Sequence, residues 1–441
     1  MLSTSLTAWR ALLDEPRPVT PAVSGGDLAR VAIVGASIGG MSTASGLRGH
    51  GFDGEIVMVE AEAELPPDRP PLSKQVLTGE WPLERARQPG SATLDELGVD
   101  LRFGRRAVRL DVATRTLTLD DHETVSADAV VLATGSAARR PPIPGIDRPG
   151  VHLLRTGADA AALRAGLAAT PQRVLIVGAG FIGLEVAGSA RELGLPVTVV
   201  EAFATPASRV LPPAIGMALA AAAVDAGVDL RTDTSVEALL GPGVEGAAGG
   251  DGDAPVAGAL LSDGTTLAAD LVLVAVGAAP ASGWLSDTPG IDLDDGVLAD
   301  ATAMAAPGVA VVGDLARWWH RGAGGFVRVE HWDNAIEMGR YVGARLMAGD
   351  DAEPYTPVPW MWSNQFGAKF QLAGRVSPDD ALTWIDGTPE DRAWVGVTHD
   401  GTTVKSVMGY NRNPKVMRIR MRMDGPDGLA LVDLLAAEST Q

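Results

Sequence analysis

Two short glycine strings are the first residues that could do chemistry. Gly35-Ala36-Ser37-Ile38-Gly39-Gly40 and Gly178-Ala179-Gly180-Phe181-Ile182-Gly183 each follow four apolar residues rich in β-branched types, and small residues follow each. An acid closes both patterns: Glu60 stands 25 residues after Gly35, and Glu201 stands 23 residues after Gly178. Glycines in such a turn allow the tight bend, the close approach of a pyrophosphate and the packing of helix on strand. The helix start then offers unpaired N–H groups and the positive end of its dipole to phosphate, and the acid takes ribose hydroxyls. The first copy carries Ser37 where the second has Gly180, and serine is small enough to keep that approach open. Either turn alone is also what a tight bend in a fold without ligand looks like; two copies, each with its acid, favour dinucleotide binding twice over.

The first string also reads as G-x-S-x-G over Gly35 to Gly39, the pattern of a nucleophile elbow. On that reading Ser37 is a nucleophile, with a later Asp or Glu and a histidine such as His331 or His399. It leaves Glu60, the second glycine string and Glu201 without a purpose.

These residues need strands and helices to hold them. Val31–Val34, a helix to about Gly49 and Ile56–Val59 make one strand–turn–helix–strand unit; Val174–Val177, a helix to about Leu193 and Val197–Val200 make the second. Two more apolar runs end in glycine, at Ala133-Thr134-Gly135 and Ala275-Val276-Gly277, and Val309–Val312 runs into Gly313-Asp314. The fold class is therefore α/β with two Rossmann-like nucleotide-binding domains. Beyond Gly349 the texture changes, and seven of the ten tryptophans fall between Trp318 and Trp394. The alternation Arg418-Ile419-Arg420-Met421-Arg422 predicts a strand with one charged face, in a separate C-terminal α+β domain. Gly241 to Gly258, rich in Gly and Ala, predicts a hairpin tip without fixed structure inserted in the second unit. The expected division is an extension over 1–28, with a possible short helix from Leu6 to Leu13, a discontinuous first nucleotide domain over 29–135 and 280–349, the second over 136–279, and the C-terminal domain over 350–441.

Composition bounds the function. The 441 residues include 36 basic and 55 acidic side chains, a formal net charge of −19, which disfavours nucleic acid and anionic membrane as general partners. The chain has no cysteine, which excludes a dithiol redox pair, a thiol nucleophile and Cys-ligated metal. No metal site is expected. No run is long and apolar enough to span a bilayer and the N-terminus does not read as a secretory signal, so a cytoplasmic protein is expected.

Leu65-Pro66-Pro67-Asp68-Arg69-Pro70-Pro71-Leu72-Ser73-Lys74, Ala133-Thr134-Gly135, Gly313-Asp314, Glu330-His331-Trp332 and Pro359 to Gln365 together resemble the FAD-dependent ferredoxin reductases that serve bacterial oxygenases and cytochromes P450. The resemblance spans roughly 30 to 425 and implies FAD and NADH as cofactors and an iron–sulfur ferredoxin as partner. It places Gly35, Ser37 and Gly40 at the FAD pyrophosphate, Glu60 on the adenosine ribose, Arg69 near the phosphates or adenosine, and Ala133 and Asp314 against the flavin, Asp314 on its ribityl chain. Lys74 is implied beside the reactive edge and paired with Glu185 at the flavin–nicotinamide junction, while Trp332 and Trp362 line the flavin. Gly178, Gly180 and Gly183 would hold the nicotinamide dinucleotide, with Glu201 on its ribose. Glu201 followed by the neutral Ala202–Thr205, with Arg209 the first base, predicts NADH over NADPH. Asn364 stands where the family has Asp, and Pro67 where Tyr is common. Arg317, Arg321, Arg328, Arg412, Lys415, Arg418, Arg420 and Arg422 are candidate docking bases. A flavin-dependent NADH oxidase or small-molecule or quinone reductase, and a nucleotide-responsive interaction protein like the apoptosis-inducing-factor relatives, remain competing readings.

Overall fold

A computed structural model describes residues 28–88, 94–243, 253–424 and 428–438 of the chain. The described residues form two compact units, one lying within 28–68, 87–137 and 279–357 and the other within 69–86, 138–278 and 358–438. The possible helix at Leu6–Leu13 lies outside the described residues.

In the first unit, six strands form one sheet in the order 304–306, 309–311, 129–132, 30–34, 55–59, 99–102. All neighbours run parallel except the antiparallel edge pair 304–306 and 309–311. Arg30–Val34 lies between Glu55–Val59 and Ala129–Leu132, so chain order reverses at its C-terminal end, where open α/β sheets bind ligands. These strands are nearly continuous runs of Val, Ile, Leu and Ala because both faces are covered, and Val31 to Ile33, Ile56 to Met58 and Ala129 to Leu132 are fully buried. Helix Ile38–Gly49 packs against helix Trp332–Ala348 through glycine. A Cβ on Gly339 would come within 2.5 Å of the Gly39 carbonyl, and one on Gly343 within 2.5 Å of the Leu47 nitrogen. Two small three-stranded sheets complete the unit, one over 107–126 and one over 297–299, 316–320 and 325–328.

The second unit repeats the plan. A five-stranded parallel sheet has the order 229–231, 197–200, 174–177, 271–274, 151–152, with helix Phe181–Glu192 following the central strand. Strands Val236–Leu240 and Gly258–Leu261 pair antiparallel, so a hairpin does join them; residues 244–252 of its tip lie outside the described residues. The C-terminal part is an antiparallel five-stranded sheet, order 360–365, 368–374, 404–410, 394–399, 381–386, with helices Asn413–Met423 and Leu431–Glu438. Phe370, Leu372, Trp394 and Tyr410 share one apolar core with Val174, Ile176, Leu184 and Ala187, so the C-terminal sheet and the second nucleotide fold belong to one unit. Phe181 stacks on Phe370 with ring centroids 5.7 Å apart.

The strand expected at Arg418–Arg422 is instead part of helix Asn413–Met423. Its buried residues are Val416, Ile419 and Met423, a spacing of three and four, whereas Met421 is 76% exposed. Three arginines alternating with Ile and Met mimic period two, but the apolar set that finds a core recurs at helical spacing. Among the described residues, no helix is long and apolar enough to cross a membrane.

Candidate functional site

The two glycine turns are built alike, bond for bond. Gly35 and Gly178 have φ of +107° and +103°, a conformation that favours glycine. A Cβ would come within 2.5 Å of the Ala133 carbonyl at Gly35 and within 2.6 Å of the Ala275 carbonyl at Gly178. At Gly40 and Gly183 it would come within 2.0 Å of the carbonyls of Gly35 and Gly178. At Gly180 it would meet nothing within 4 Å, so the protein itself makes no steric demand there, which explains why Ser37 is accepted in the first copy. Ser37 and Gly180 are the N-caps of their helices, and neither helix has a side-chain cap bond. The N–H groups at both helix starts therefore face the space in front of the turn without a capping oxygen.

Each acid pins its own turn. The Ala36 N–H donates to Glu60 Oε2 at 2.8 Å and the Ala179 N–H to Glu201 Oε2 at 2.6 Å. The other oxygen accepts from Glu62 N–H at 2.9 Å in the first copy and from Phe203 N–H at 3.0 Å in the second. Both carboxylates are over nine-tenths buried, and each keeps acceptor capacity beyond these two bonds.

In the second unit, Lys74 and Glu185 meet at 2.6 Å with side-chain exposures of 14% and 5%. Glu185 sits in helix Phe181–Glu192, directly after the glycine turn, and its carboxylate is a small hub. The Ser73 hydroxyl donates to Oε2, the Ser363 hydroxyl donates to Oε1 at 2.7 Å, and the Asn364 N–H donates to Oε1 at 3.3 Å. One turn further along the same helix, the Ser189 hydroxyl donates to the Ser73 carbonyl at 2.7 Å and fixes that loop. Trp362 adjoins Ser363 on the same strand, stacks on Trp360 with centroids 5.0 Å apart and carries Lys369 over its face at 5.7 Å. The Asn364 side chain points to solvent, and it is the backbone N–H of this residue that serves the hub. Arg69 lies half-buried in the loop before Ser73.

The first unit gathers the remaining expected residues around the end of its sheet. Ala133 is 6% exposed beneath Gly35. Asp314 follows strand Val309–Val311 and accepts from the Ser136 hydroxyl at 2.7 Å. The Trp332 indole N–H donates to Asp68 at 2.7 Å. Gln88 reaches the glycine turn, its Nε2 donating to Ser37 Oγ and to the Pro67 carbonyl, each at 3.3 Å. Ser73, Ser363, Ser136, Asp68 and Gln88 went unmarked in the sequence. Ser73, Ser363 and Asp68 sit inside strings already singled out, so their motifs could have found them; Gln88 has no such signal.

The nucleophile-elbow reading is corrected. Ser37 has φ −81° and ψ −177°, ordinary extended backbone, and the strained conformation belongs to Gly35. Its Oγ takes a bond from Gln88; His331 is the N-cap of helix Trp332–Ala348, and His399 bonds Thr383 in the other unit. Of the candidate docking bases, Arg317 pairs with Asp294, Arg328 with Asp295 and Glu330, and Arg412 and Lys415 with Asp386. Arg420 lies over the Trp360 ring, and Arg321 is exposed.

The pyridine nucleotide-disulphide oxidoreductase profile matches residues 29–339, and the reductase C-terminal profile matches 360–434. Rhodocoxin reductase of Rhodococcus erythropolis is 35% identical over 351 residues, 79% of this chain and 79% of that protein. The ferredoxin reductase component of chlorobenzene dioxygenase from a Cupriavidus species is 40% identical over 351 residues, 78% of this chain and 80% of that protein. Among solved structures, the ferredoxin reductase for the CYP199A2 system of Rhodopseudomonas palustris superposes with a TM-score of 0.83 at 29% identity, covering 91% of this chain and 96% of that one. The reductase of the covalent putidaredoxin reductase–putidaredoxin complex superposes with a TM-score of 0.84 at 28% identity, covering 93% and 96%. With the doubled glycine turn, the Lys74–Glu185 hub and these similarities together, the chain belongs to the pyridine nucleotide-disulphide oxidoreductase family and, within it, to the ferredoxin reductases.

Proposed function

We propose that this protein is an FAD-dependent NADH:ferredoxin reductase supplying electrons to an oxygenase or a cytochrome P450, and that it works in the cytoplasm. The observation that carries this is the doubled turn: two glycine cradles, each pinned by its own buried glutamate, in a family whose relatives are named as ferredoxin reductases. The residues fit two dinucleotides, because Gly180 opens on free space, Ser37 in the matching place is small, and both helix starts lack a capping side chain.

Bound FAD would supply a hydride acceptor able to pass electrons on one at a time. Gly35, Ser37 and Gly40 hold its pyrophosphate and Glu60 its adenosine ribose, with Arg69, Ala133, Asp314 and Trp332 as the remaining contacts. Gly178, Gly180 and Gly183 hold the NADH pyrophosphate and Glu201 its ribose hydroxyls. The residues proposed for catalysis are Lys74, Glu185 and Trp362 of the second unit and Trp332 of the first. Besides Lys74, the Glu185 carboxylate accepts from Ser73, Ser363 and the Asn364 N–H, so a movement of Lys74 toward charge elsewhere would not leave that carboxylate without donors. Ser73 and Ser363 are positioning residues for that pair. With no cysteine in the chain, a dithiol relay plays no part.

The test is the anaerobic visible spectrum of the purified protein before and after NADH. A flavin band that bleaches with NADH, followed by faster reduction of a [2Fe–2S] ferredoxin than of oxygen or quinone, is expected. A colourless protein that takes up no FAD would overturn the reading. A protein that bleaches but turns over only with oxygen or quinone would replace the acceptor.

A further inference from the structure

Gln88 is 3% exposed, and its side chain ends at the first glycine turn. The Pro67 oxygen can only accept, so the nitrogen of the amide must be the atom that faces it; the same Nε2 reaches Ser37 Oγ. This fixes the amide the other way round as well. Oε1 is left buried with no hydrogen-bond partner, beside a helix start that lacks a capping side chain. A buried acceptor left without a donor is costly, and few are tolerated without a purpose. The unmet need is for a donor, which phosphate cannot supply. A hydroxyl can.

We infer that Gln88 is a further cofactor-binding residue, whose Oε1 accepts a hydrogen bond from a sugar or sugar-alcohol hydroxyl of the FAD held at the Gly35–Gly40 turn. The inference rests on the assignment of FAD to this turn. Ser37 gains a purpose from it. Where the second copy has glycine and open space, the Ser37 hydroxyl anchors the amide and aims it. Two hydroxyl sources exist in FAD, the adenosine ribose and the ribityl chain, and they share this chemistry.

The experiment is FAD titration of the apoprotein, by recovery of flavin fluorescence quenching, for the wild type, Gln88→Met and Ser37→Ala, with ADP titrated as a second probe. Gln88→Met keeps the length of the side chain and removes both polar atoms. It is expected to weaken FAD binding about tenfold, the scale of one hydrogen bond, and Ser37→Ala to weaken it less, because Pro67 still holds the amide. If ADP weakens in step, the hydroxyl is that of the adenosine ribose; if FAD weakens alone, it is ribityl. Both patterns support the inference. Thermal unfolding supplies a second readout: the gap in Tm between holo and apo protein is expected to narrow in Gln88→Met. FAD and ADP affinities unchanged from wild type, or apo and holo Tm values that fall together with the gap intact, would overturn it. A wild-type apoprotein that binds no FAD would instead overturn the assignment of FAD to this turn.

Discussion

At the scale of single residues, the same carboxylate has two duties. Glu201 holds the Ala179 N–H and the Phe203 N–H, and is also the residue assigned to the nicotinamide dinucleotide's ribose. Replacement by alanine removes both duties at once. Glu201→Ala is therefore expected to raise the KM for NADH while narrowing the preference for NADH over NADPH by about tenfold, as the repulsion of a 2′-phosphate disappears. Steady-state kcat/KM with both nucleotides decides this, and an unchanged ratio contradicts the assignment. Both turn acids were legible in the sequence, because each stands at a fixed distance from a glycine string, whereas Lys74 and Glu185 were reached only through the family resemblance. Ser73 and Ser363 stand inside motif strings, but their role comes from a carboxylate more than a hundred positions away, which no local string shows. Gln88 was legible still less, lying in no motif at all.

At the scale of elements, the glycine turn and its helix form one device. A Cβ on Gly40 or Gly183 would strike a carbonyl at 2.0 Å, so each glycine is demanded by its own turn. Overpacking of this kind costs about 1–3 kcal/mol and displaces the helix start. Gly40→Ala is expected to yield protein with depleted flavin. Gly183→Ala is expected to retain flavin and lose its bleaching by NADH. Flavin content per chain and anaerobic NADH titration check both; a variant pair with the same phenotype would mean that the two cradles do not serve two nucleotides. The central sheet strands were readable because they are continuous apolar runs, whereas the edge strands at 99–102, 151–152 and 229–231 carry no such run. The Arg418–Arg422 segment was misread because three charged residues in alternation carry a period of their own, and only the core of Val395, Val397 and Val407 reveals which of its apolar residues is used.

At the scale of the whole molecule, charge governs the meeting with a partner. The chain carries −19, and an acidic ferredoxin would be repelled by most of its surface. Of the eight bases proposed for docking, Arg317, Arg328, Arg412 and Lys415 are already paired with acids of their own unit, which lowers what they can offer to another protein. Ferredoxin reduction is therefore expected to depend on ionic strength weakly, its rate changing by less than about threefold across physiological salt, where eight free bases would give a much steeper slope. A salt series of the second-order rate measures it, with Arg321→Glu as the variant that removes an exposed base. A steep slope would show that the internal pairs open on docking. The two-unit division was only partly legible: a discontinuous first nucleotide domain was expected, but the common core of the C-terminal sheet and the second nucleotide fold depends on packing between Phe370, Trp394 and Leu184, which no spacing announces.

The helix that lies on Ile38–Gly49 begins at Trp332, and the strand that flanks Ala129–Leu132 begins at Val309. On the ribosome, then, the first cradle is translated early but stays unfinished while roughly the whole of the second nucleotide fold is being made. Until the late strand arrives, Ala129–Leu132 presents an unpaired edge of four fully buried-type residues, an open template for another chain. The order of synthesis and the order of assembly differ, and a nascent chain stalled before residue 309 would leave that edge open to pairing with another chain.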